Sequence, residues 1–321
     1  MDSIVGDEAI IATNDNASEC KRCAVQIGYW QDKYINNFVR HAERKAPEIN
    51  RGYYARIKGV ERLIRQFLLK CGSNAQIISI GAGFDTLYWR MKDEGLDFGN
   101  FVEMDFPTVT SRKCHLIKKS RILLEKLHTE DGEVRFSSTD LHGSGYHLVG
   151  GDLRSLPEVR SKLGAGGECG LDPSLPTLFL AECVLVYVDA ASTGRLLDWI
   201  SSTFSSVFFV NYEQLNIGDK FGEVMQRNLR SRGCTLAGIE ACLSKEGQEQ
   251  RFTSHGWDGS KCWDMIEIYN SLPQGDVQRI EALEFLDERE LLLQLFQHYC
   301  ISIAWREAPE SRYELSSIDI H

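Results

Sequence analysis

A short apolar run that ends in a glycine turn most constrains the fold of this 321-residue chain. Residues 77–80 are apolar or small and lead into Gly81-Ala82-Gly83-Phe84-Asp85, and a second apolar run ends at Asp105. Continuous runs of this kind are typical of parallel strands buried on both faces, and the glycines let a ligand approach the backbone. Dinucleotide-type folds carry an acid for the ribose hydroxyls about 20 residues after such a turn. Because Asp105 follows at roughly this spacing, the pattern predicts a nucleoside-containing cofactor.

The composition of the turn distinguishes between such cofactors. A pyrophosphate-binding fingerprint has three glycines, whereas this turn has Gly81 and Gly83 only and places Asp85 where phosphate would come close. Like charges repel there, so the turn favours a ligand without phosphates. S-adenosylmethionine fits, because its charged groups are an ammonium, a sulfonium and a carboxylate. The alternative for a glycine pair alone is a tight connection without a ligand, and a nicotinamide dehydrogenase is the least favoured enzyme.

The composition of the chain restricts its partners and its compartment. The formal net charge of −10 argues against nucleic acid as a partner, because nucleic-acid binding depends on basic patches that neutralise phosphates. No stretch approaches the ~20 apolar residues of a membrane span, and residues 1–8 lack the basic region of a signal peptide. Ten scattered cysteines are typical of reduced thiols. We expect a monomer in the cytoplasm, with the nucleus as an additional compartment.

The sequence offers no recognisable metal site. Cys20-Lys21-Arg22-Cys23 is a CxxC pair, but no second pair or nearby histidine completes a zinc-binding set. The eight histidines show no HxxxH-type spacing. We therefore predict that the chain binds no metal.

Apolar strand patterns and helical patterns alternate along the middle of the chain. The predicted strands are 75–80, 100–105, 146–153, 177–186 and 206–212, and the helices between them are 85–94, 108–127, 155–163 and 190–204. Such alternation predicts a parallel, doubly wound α/β sheet of the Rossmann-like class with right-handed crossovers. Asp189 is predicted to cap the last of these helices.

The ends of this alternating region carry additional segments. Residues 1–19 are polar and acidic and are predicted to be a disordered tail, which leaves 20–321 as one domain. Helical patterns at 24–40 and 52–71 precede the first strand. Residues 213–255 interrupt the alternation with two polar helical patterns after the fifth strand. An insertion at the carboxyl end of a strand lies beside the ligand crevice, so we expect it to cover the substrate.

Each of four predicted parallel strands ends in glycine or an acid. These residues are Gly81, Asp105, Asp152 and Glu182, and open α/β sheets bind ligands at this edge. We expect Asp105 to bind the ribose hydroxyls, and Asp152 with Leu153 to bind the adenine. Glu182 lies in an apolar run where an unpaired carboxylate is costly, so the ammonium of the cofactor is its expected partner. The alternative for each acid is a helix cap or a surface salt bridge.

Arg56 is the strongest candidate for binding a carboxylate. A guanidinium donates two parallel hydrogen bonds to a carboxylate, and the carboxylate here belongs to the cofactor or the substrate. Lys21 and Arg22 are weaker candidates of the same kind, and the alternative for Arg56 is a solvated charge on a helix. The sequence shows no certain catalytic residue, and we expect Arg56 and Tyr187 to contribute by positioning the reactants.

Several short motifs together resemble the leucine carboxyl methyltransferases, and the likeness runs from about Cys20 to Trp305. The motifs are Lys21-Arg22, Ile27-Gly28-Tyr29-Trp30, Lys45 to Arg56, Gly81 to Thr86, Asp105-Phe106-Pro107, Asp152-Leu153-Arg154, Ala181 to Tyr187 and Asn211-Tyr212-Glu213-Gln214. Ala-Pro-Glu-Ile-Asn-Arg-Gly-Tyr at 46–53 is the most specific, since no generic methyltransferase needs it. The resemblance implies a class I S-adenosylmethionine-dependent methyltransferase fold with added N-terminal helices. It also implies cofactor contacts at Lys21, Arg56, Gly81, Asp105, Asp152, Leu153 and Glu182.

The resemblance further implies a substrate. Members of this family methylate the C-terminal leucine of the type 2A protein phosphatase catalytic subunit, which implies formation of a methyl ester that regulates holoenzyme assembly. A C-terminal carboxyl with a reference pKa of about 3.3–3.7 is ionised at neutral pH, so no general base is expected. The alternatives are a small-molecule carboxyl or hydroxyl O-methyltransferase on the same fold, and a non-catalytic protein that binds the phosphatase.

Overall fold

A nine-stranded mixed sheet with helices on both faces forms the centre of the molecule. The computed structural model describes residues 2–127 and 133–321. The strands are β1 (Gln76–Ile80), β2 (Asn100–Asp105), β3 (Arg135–Phe136), β4 (Leu141–His142), β5 (Tyr146–Gly150), β6 (Thr177–Glu182), β7 (Ser206–Gln214), β8 (Gly259–Asp264) and β9 (Tyr299–Glu307).

Twelve α-helices are found in the described part of the chain. They are α1 (Asp2–Ile27), α2 (Pro47–Cys71), α3 (Leu87–Asp93), α4 (Pro107–Lys119), α5 (Arg121–Leu124), α6 (Leu156–Leu163), α7 (Ala190–Thr203), α8 (Lys220–Ser231), α9 (Lys245–Thr253), α10 (Met265–Ser271), α11 (Gln274–Glu281) and α12 (Arg289–Gln297). None of these helices has the length and apolarity needed to cross a membrane.

The strand order confirms the predicted doubly wound sheet. The order is β3-β4-β5-β2-β1-β6-β7-β9-β8, and the five strands from β5 to β7 in this order run parallel. The chain moves outward from β1 through β2 to β5 and then returns to β6, so the strand order reverses beside β1. Ligands of open α/β sheets bind at such a reversal, outside the carboxyl ends of the strands.

The five parallel strands were predicted from sequence because each is buried on both faces. All five residues of β1 are buried, and β7 is buried along its whole length. Stacked aromatic pairs fill the two faces. The ring centre of Phe67 in α2 lies 5.9 Å from that of Phe208 in β7, and the neighbouring strand residues Phe179 and Phe209 stack with ring centres 6.1 Å apart. The predicted cap of α7 is also confirmed, because the Asp189 side chain accepts a hydrogen bond from the Ser192 backbone N–H.

The N-terminal segment differs from the sequence prediction. Residues 2–27 form the helix α1, where a disordered tail was expected over 1–19; Met1 lies outside the described residues. The predicted helix at 24–40 is wrong beyond Ile27, and only a 3-10 turn at Ile35–Asn37 follows. Asn and Asp in the middle of α1 disfavour an isolated helix, and the contacts of this helix with the rest of the domain outweigh that preference.

The insertion after β7 is helical, as predicted, and is attached to the sheet by a buried ion pair. It comprises α8, a 3-10 turn at Ile239–Cys242 and α9. Glu213 of β7 is fully buried and pairs with Arg251 of α9. The other oxygen of Glu213 accepts a hydrogen bond of 2.7 Å from the Val186 backbone N–H. One buried carboxylate thus connects the insertion to the segment that follows β6.

Candidate functional site

A cavity of about 880 Å³ opens at the carboxyl edge of the parallel strands. The register aligns the ends of these strands, because Ile80 pairs with both Met104 and Ala181. All nine residues that the sequence analysis selected line this cavity: Lys21, Arg56, Gly81, Gly83, Asp105, Asp152, Leu153, Tyr187 and Glu182. Helix α1 and the insertion helix α8 form further walls.

The glycine turn after β1 has a backbone conformation and close contacts that residues with side chains cannot adopt without strain. Gly81 and Gly83 have φ angles of +61° and +52°, in the region that L-residues with side chains rarely adopt. A Cβ on Gly81 would lie 2.4 Å from Val184 Cγ2, and a Cβ on Gly83 would lie 2.4 Å from Asn14 Oδ1. The turn therefore brings bare backbone to the cavity wall.

We expect Gly83→Ala to lower the affinity for S-adenosylmethionine about tenfold or more. The new Cβ would displace Asn14, whose Oδ1 accepts a hydrogen bond of 2.7 Å from the Phe84 backbone N–H, and left-handed backbone costs about 1–2 kcal/mol with a side chain. Isothermal titration calorimetry measures the affinity. Gly72→Ala is the matched control, because Gly72 has a φ of +76° and a Cβ added there would have no atom within 4 Å. An equal loss of affinity in both variants would contradict the role of the turn.

Asp105 presents a carboxylate at the tip of β2. Its Oδ2 accepts a hydrogen bond of 2.7 Å from the Gly83 backbone N–H, and its Oδ1 accepts one of 2.7 Å from the Phe106 backbone N–H. Burial raises the pKa of this carboxyl, against the two backbone hydrogen bonds. The two backbone donors leave further lone pairs on the oxygens, so Asp105 has acceptor capacity for hydroxyl groups of a ligand.

Asp85 and Lys21 form an ion pair across the cavity wall. The Lys21 Nζ lies 2.8 Å from Asp85 Oδ2, and the Asp85 Oδ1 accepts a hydrogen bond from the Leu87 backbone N–H at the start of α3. Burial would raise the pKa of Asp85, but the charges of Lys21 and Arg90 hold it below its usual range. The acid that was expected to repel phosphate is therefore ionised, and the cofactor contact of Lys21 stays a prediction.

Arg56 and Glu182 pair with each other, which the sequence analysis did not anticipate. The Arg56 Nε lies 2.5 Å from Glu182 Oε2, and the guanidinium carbon lies 4.5 Å from the centre of the Tyr212 ring. Both side chains are about nine-tenths buried, and a buried charge is costly unless an opposite charge or hydrogen bonds compensate it. The sequence analysis expected the ammonium of a cofactor to be the partner of Glu182, whereas in the structure Arg56 is that partner.

Asp152 is engaged by an arginine that also binds α1. Both oxygens of Asp152 accept hydrogen bonds of 2.7–3.0 Å from Arg154. The same guanidinium donates to both oxygens of Asp7 at 2.9 and 2.8 Å. Asp152 and Leu153 line the cavity, but their contact with adenine stays a prediction. The Asp7–Arg154 pair is one reason why α1 lies over this edge of the sheet.

Several cavity residues escaped the sequence analysis. The Asn14 side chain of α1 accepts a hydrogen bond from the Phe84 backbone N–H in the glycine turn. The sequence indicates this contact only through the presence of a polar residue within a long helix. Cys183 has a φ of +59° immediately after β6; strained backbone of this kind concentrates at functional sites, and nothing in the sequence indicates it. The buried Oε1 of Gln214 has no hydrogen-bond partner among the described residues, and this residue also lines the cavity.

The insertion contributes an apolar wall. Phe221, Met225 and Leu229 of α8 line the cavity together with Phe296 of α12. Val224 of the same helix also lines it and is about half exposed. The role of the insertion as a cover for the substrate stays a prediction. The cavity therefore combines a polar floor at the strand tips with an apolar side below α8.

Comparisons with known proteins identify the family. A sequence profile of the leucine carboxyl methyltransferases matches residues 9–201. Leucine carboxyl methyltransferase 1 of Bos taurus is 47% identical over 308 residues, which cover 95% of this chain and 92% of that protein. The chain belongs to the leucine carboxyl methyltransferase family. Members of this family use S-adenosylmethionine.

Similarity within the family extends to distant species and to longer proteins. Leucine carboxyl methyltransferase 1 of Caenorhabditis elegans is 44% identical, with 93% of this chain and 92% of that protein covered. The human tRNA wybutosine-synthesizing protein 4 is 37% identical over 93% of this chain, but the match covers only 44% of that protein. This leucine carboxyl methyltransferase family member therefore matches the proteins of the first type over nearly their whole length.

Comparison of solved structures agrees with the fold of the family member. A putative methyltransferase from Thermobifida fusca superimposes with a TM-score of 0.51 at 13% identity, covering 85% of this chain and 93% of the other. At this level of identity the likeness concerns the fold alone. The fold is that of a class I methyltransferase, as the sequence analysis predicted.

Proposed function

We propose that this chain transfers the methyl group of S-adenosylmethionine to the α-carboxylate of the C-terminal leucine of the type 2A protein phosphatase catalytic subunit. The product is a methyl ester that regulates assembly of the phosphatase holoenzyme. The observation that carries the proposal is the cavity at the strand tips, in a chain whose relatives are named leucine carboxyl methyltransferases. The cofactor binds at its polar floor, and the leucine enters from the side of α8.

The residues of the floor fit S-adenosylmethionine. Gly81 and Gly83 line the cavity with backbone alone. A Cβ at either position would collide with Val184 or Asn14 and displace the turn. Asp105 offers acceptors for the ribose hydroxyls, because only backbone N–H groups donate to it among its described hydrogen bonds. When bound, the cofactor supplies an electrophilic methyl group on sulfur.

Arg56 is the residue that positions a carboxylate in this proposal. The guanidinium donates its Nε–H to the Glu182 carboxylate and an Nη2–H to the Glu182 backbone carbonyl at 3.4 Å, and it faces the ring of Tyr212. The remaining N–H groups of its two Nη atoms are available for a ligand. Burial opposes its charge, but Glu182 and the neighbouring groups raise the pKa of Arg56 above its usual value. The side chain therefore stays cationic in a water-poor cavity, where its attraction to a carboxylate is strengthened.

Methyl transfer to a carboxylate needs positioning groups but no general base, and the lining of the cavity is consistent with this need. The acceptor carboxylate is ionised at neutral pH, so the protein has no proton to remove, and none of the described residues that line the cavity is a histidine. Burial raises the pKa of Tyr187, the other candidate positioning residue, so its phenol stays neutral and its O–H is available as a donor. Alignment of the reactants and exclusion of water then lower the activation free energy, by about 7–11 kcal/mol where positioning is ideal.

The apolar wall accounts for selectivity toward leucine. The apolar side of the cavity is formed by three residues of α8 and one of α12, namely Phe221, Met225, Leu229 and Phe296. Burial of a leucine side chain there contributes about 1.5–3 kcal/mol, which a C-terminal glycine or charged residue does not obtain. The proposed substrate is thus a chain end with an apolar last residue.

Incubation with methyl-labelled S-adenosylmethionine tests the proposal. The substrates are the phosphatase catalytic subunit and the same subunit without its last leucine. We expect base-labile label on the intact subunit alone. Label on both forms, or on neither, contradicts the proposal.

Two further arms distinguish the alternatives. Equal transfer to a short C-terminal peptide, without need for the folded phosphatase, favours an O-methyltransferase with small substrates. Tight binding of the phosphatase without uptake of cofactor favours a non-catalytic binding protein.

A further inference from the structure

Three side chains that bind transition metals meet at an edge of the sheet, outside the cavity. His142 of β4 and His147 of β5 are direct partners in the antiparallel ladder, and their Nδ1 atoms lie 2.9 Å apart. Cys169 comes from the loop between α6 and β6. Ligand atoms of the three residues all lie within 4.8 Å of one another.

The group lies at the rim of the sheet opposite the cavity. The Cys169 carbonyl accepts a hydrogen bond of 2.9 Å from the side chain of Asn100, the first residue of β2. The cavity, in contrast, adjoins Asp105 at the other end of this strand. A metal in this group would therefore act on the structure of the domain, and its binding is independent of methyl transfer.

A neighbouring group of acids is already bound by an ammonium and is not part of the candidate site. Asp140, His142 and Glu168 also lie close together, but the ammonium of Lys162 lies 2.9 Å from Asp140 Oδ2 and 3.3 Å from Glu168 Oε2. This cation occupies the side where the carboxylates meet. The group of two imidazoles and one thiol remains.

The separation of the two imidazole nitrogens is close to that of two ligands on one tetrahedral metal, and the thiol sulfur lies within 4.8 Å of the other ligand atoms. With Zn–N bonds of about 2.0–2.1 Å, two nitrogens bound to the same zinc ion lie about 3.3 Å apart. The observed separation of 2.9 Å between the Nδ1 atoms of His142 and His147 requires a shift of only a few tenths of an ångström.

We infer that His142, His147 and Cys169 bind a zinc ion that ties the β4–β5 hairpin to the loop between α6 and β6. Imidazole nitrogen and thiolate sulfur are ligands that zinc prefers, whereas magnesium and calcium prefer oxygen. On binding, the Cys169 thiol loses its proton to the solvent and the sulfur forms a bond to zinc. Solvent occupies the fourth position. The site escaped the sequence analysis because its three ligands come together only through strand pairing and a distant loop.

Metal titrations of the full chain test this inference. The protein is dialysed against a chelator under reducing conditions and titrated with Zn²⁺ in a calorimeter, and with Co²⁺ in an absorption spectrometer. We expect one equivalent of Zn²⁺ to bind, a rise in Tm with Zn²⁺, and a thiolate-to-cobalt charge-transfer band. Cys169→Ser should lose this band. His147→Gln should weaken Zn²⁺ binding by at least about tenfold, since even an outer-shell partner costs that much.

Matched variants separate this site from the remaining thiols and imidazoles. Cys71→Ser changes a half-buried thiol at the end of α2, and His115→Gln changes an exposed imidazole on α4; both should bind Zn²⁺ as the unaltered chain does. Cys169 is fully buried, so if its replacement impairs folding, the half-buried His147 provides the decisive variant. The inference is overturned if no equivalent binds, or if His147→Gln binds Zn²⁺ with unchanged affinity.

Discussion

Asp105→Asn should weaken binding of S-adenosylmethionine by about 10²–10⁴-fold. A hydrogen bond to a charged group contributes about 1.5–3 kcal/mol, and two ribose hydroxyls together account for about 3–6 kcal/mol, with each 1.4 kcal/mol corresponding to a tenfold change. In the unaltered chain, the backbone N–H groups of Gly83 and Phe106 each donate to one carboxylate oxygen of Asp105. In the asparagine variant the side-chain NH₂ replaces one of these oxygens, so that one backbone donor would face another donor. Calorimetric titration with the cofactor measures the loss.

The pH dependence of the same titration provides a second measurement. Burial raises the pKa of Asp105, so the affinity of the unaltered chain should fall as the pH drops through that raised value and the carboxylate is protonated. Asp105→Asn should lack this dependence. Asp97→Asn, which changes an exposed acid before β2, is the matched control and should bind as the unaltered chain does. A cofactor affinity for Asp105→Asn within twofold of the original would remove Asp105 from the site.

Arg56→Lys should lower the turnover of methyl transfer by about 10²–10³-fold, the loss typical of one preorganised donor in an active site. Lysine keeps the positive charge opposite Glu182 but lacks the planar fork that binds a carboxylate through two hydrogen bonds. It also loses the stacking of the guanidinium on Tyr212, whose ring centre lies 4.5 Å from the Arg56 Cζ. Steady-state kinetics with saturating cofactor and phosphatase measure the turnover.

A stability measurement distinguishes positioning from misfolding in this variant. Removal of one partner of a buried ion pair costs about 3–5 kcal/mol of unfolding free energy, and Arg56→Lys should lose less because Glu182 retains a cation. Arg62→Lys is the matched control on the same helix, where the Arg62 Nη1 donates to the Ser271 carbonyl at 2.7 Å. Its turnover should be unchanged. Unchanged turnover and cofactor affinity in Arg56→Lys would exclude the positioning role.

The agreement between sequence and structure is best where burial is decided locally. The parallel strands β1, β2 and β6 were predicted within a few residues because each is a continuous apolar run. Their order and direction follow from the alternation with helices. Since parallel strands align their carboxyl ends, the residues at 81, 105 and 182 were expected to meet at one edge, and they do line one cavity.

The errors arise where a segment depends on contacts with distant residues. Helix α1 has an irregular pattern with several polar residues, yet Asp7 pairs with Arg154 and Asn14 bonds the glycine turn. The helix predicted at 52–71 illustrates the same point: it begins earlier, at Pro47, and the Asn50 side chain in its first turns donates a hydrogen bond to Glu284, which is far away in the chain. Propensity alone does not show these partners.

The amino-acid sequence by itself determined the five parallel strands, the glycine turn after β1 and the acids at the strand tips, because apolar periodicity and glycine placement act over a few residues. Only the tertiary structure decided which charges pair. It joined Arg56 to Glu182 across 126 positions of the chain, laid α1 over the cavity and brought two histidines beside Cys169. Such pairings depend on the cost of burying charged and polar groups, and that cost is set by neighbours that the chain brings together only on folding.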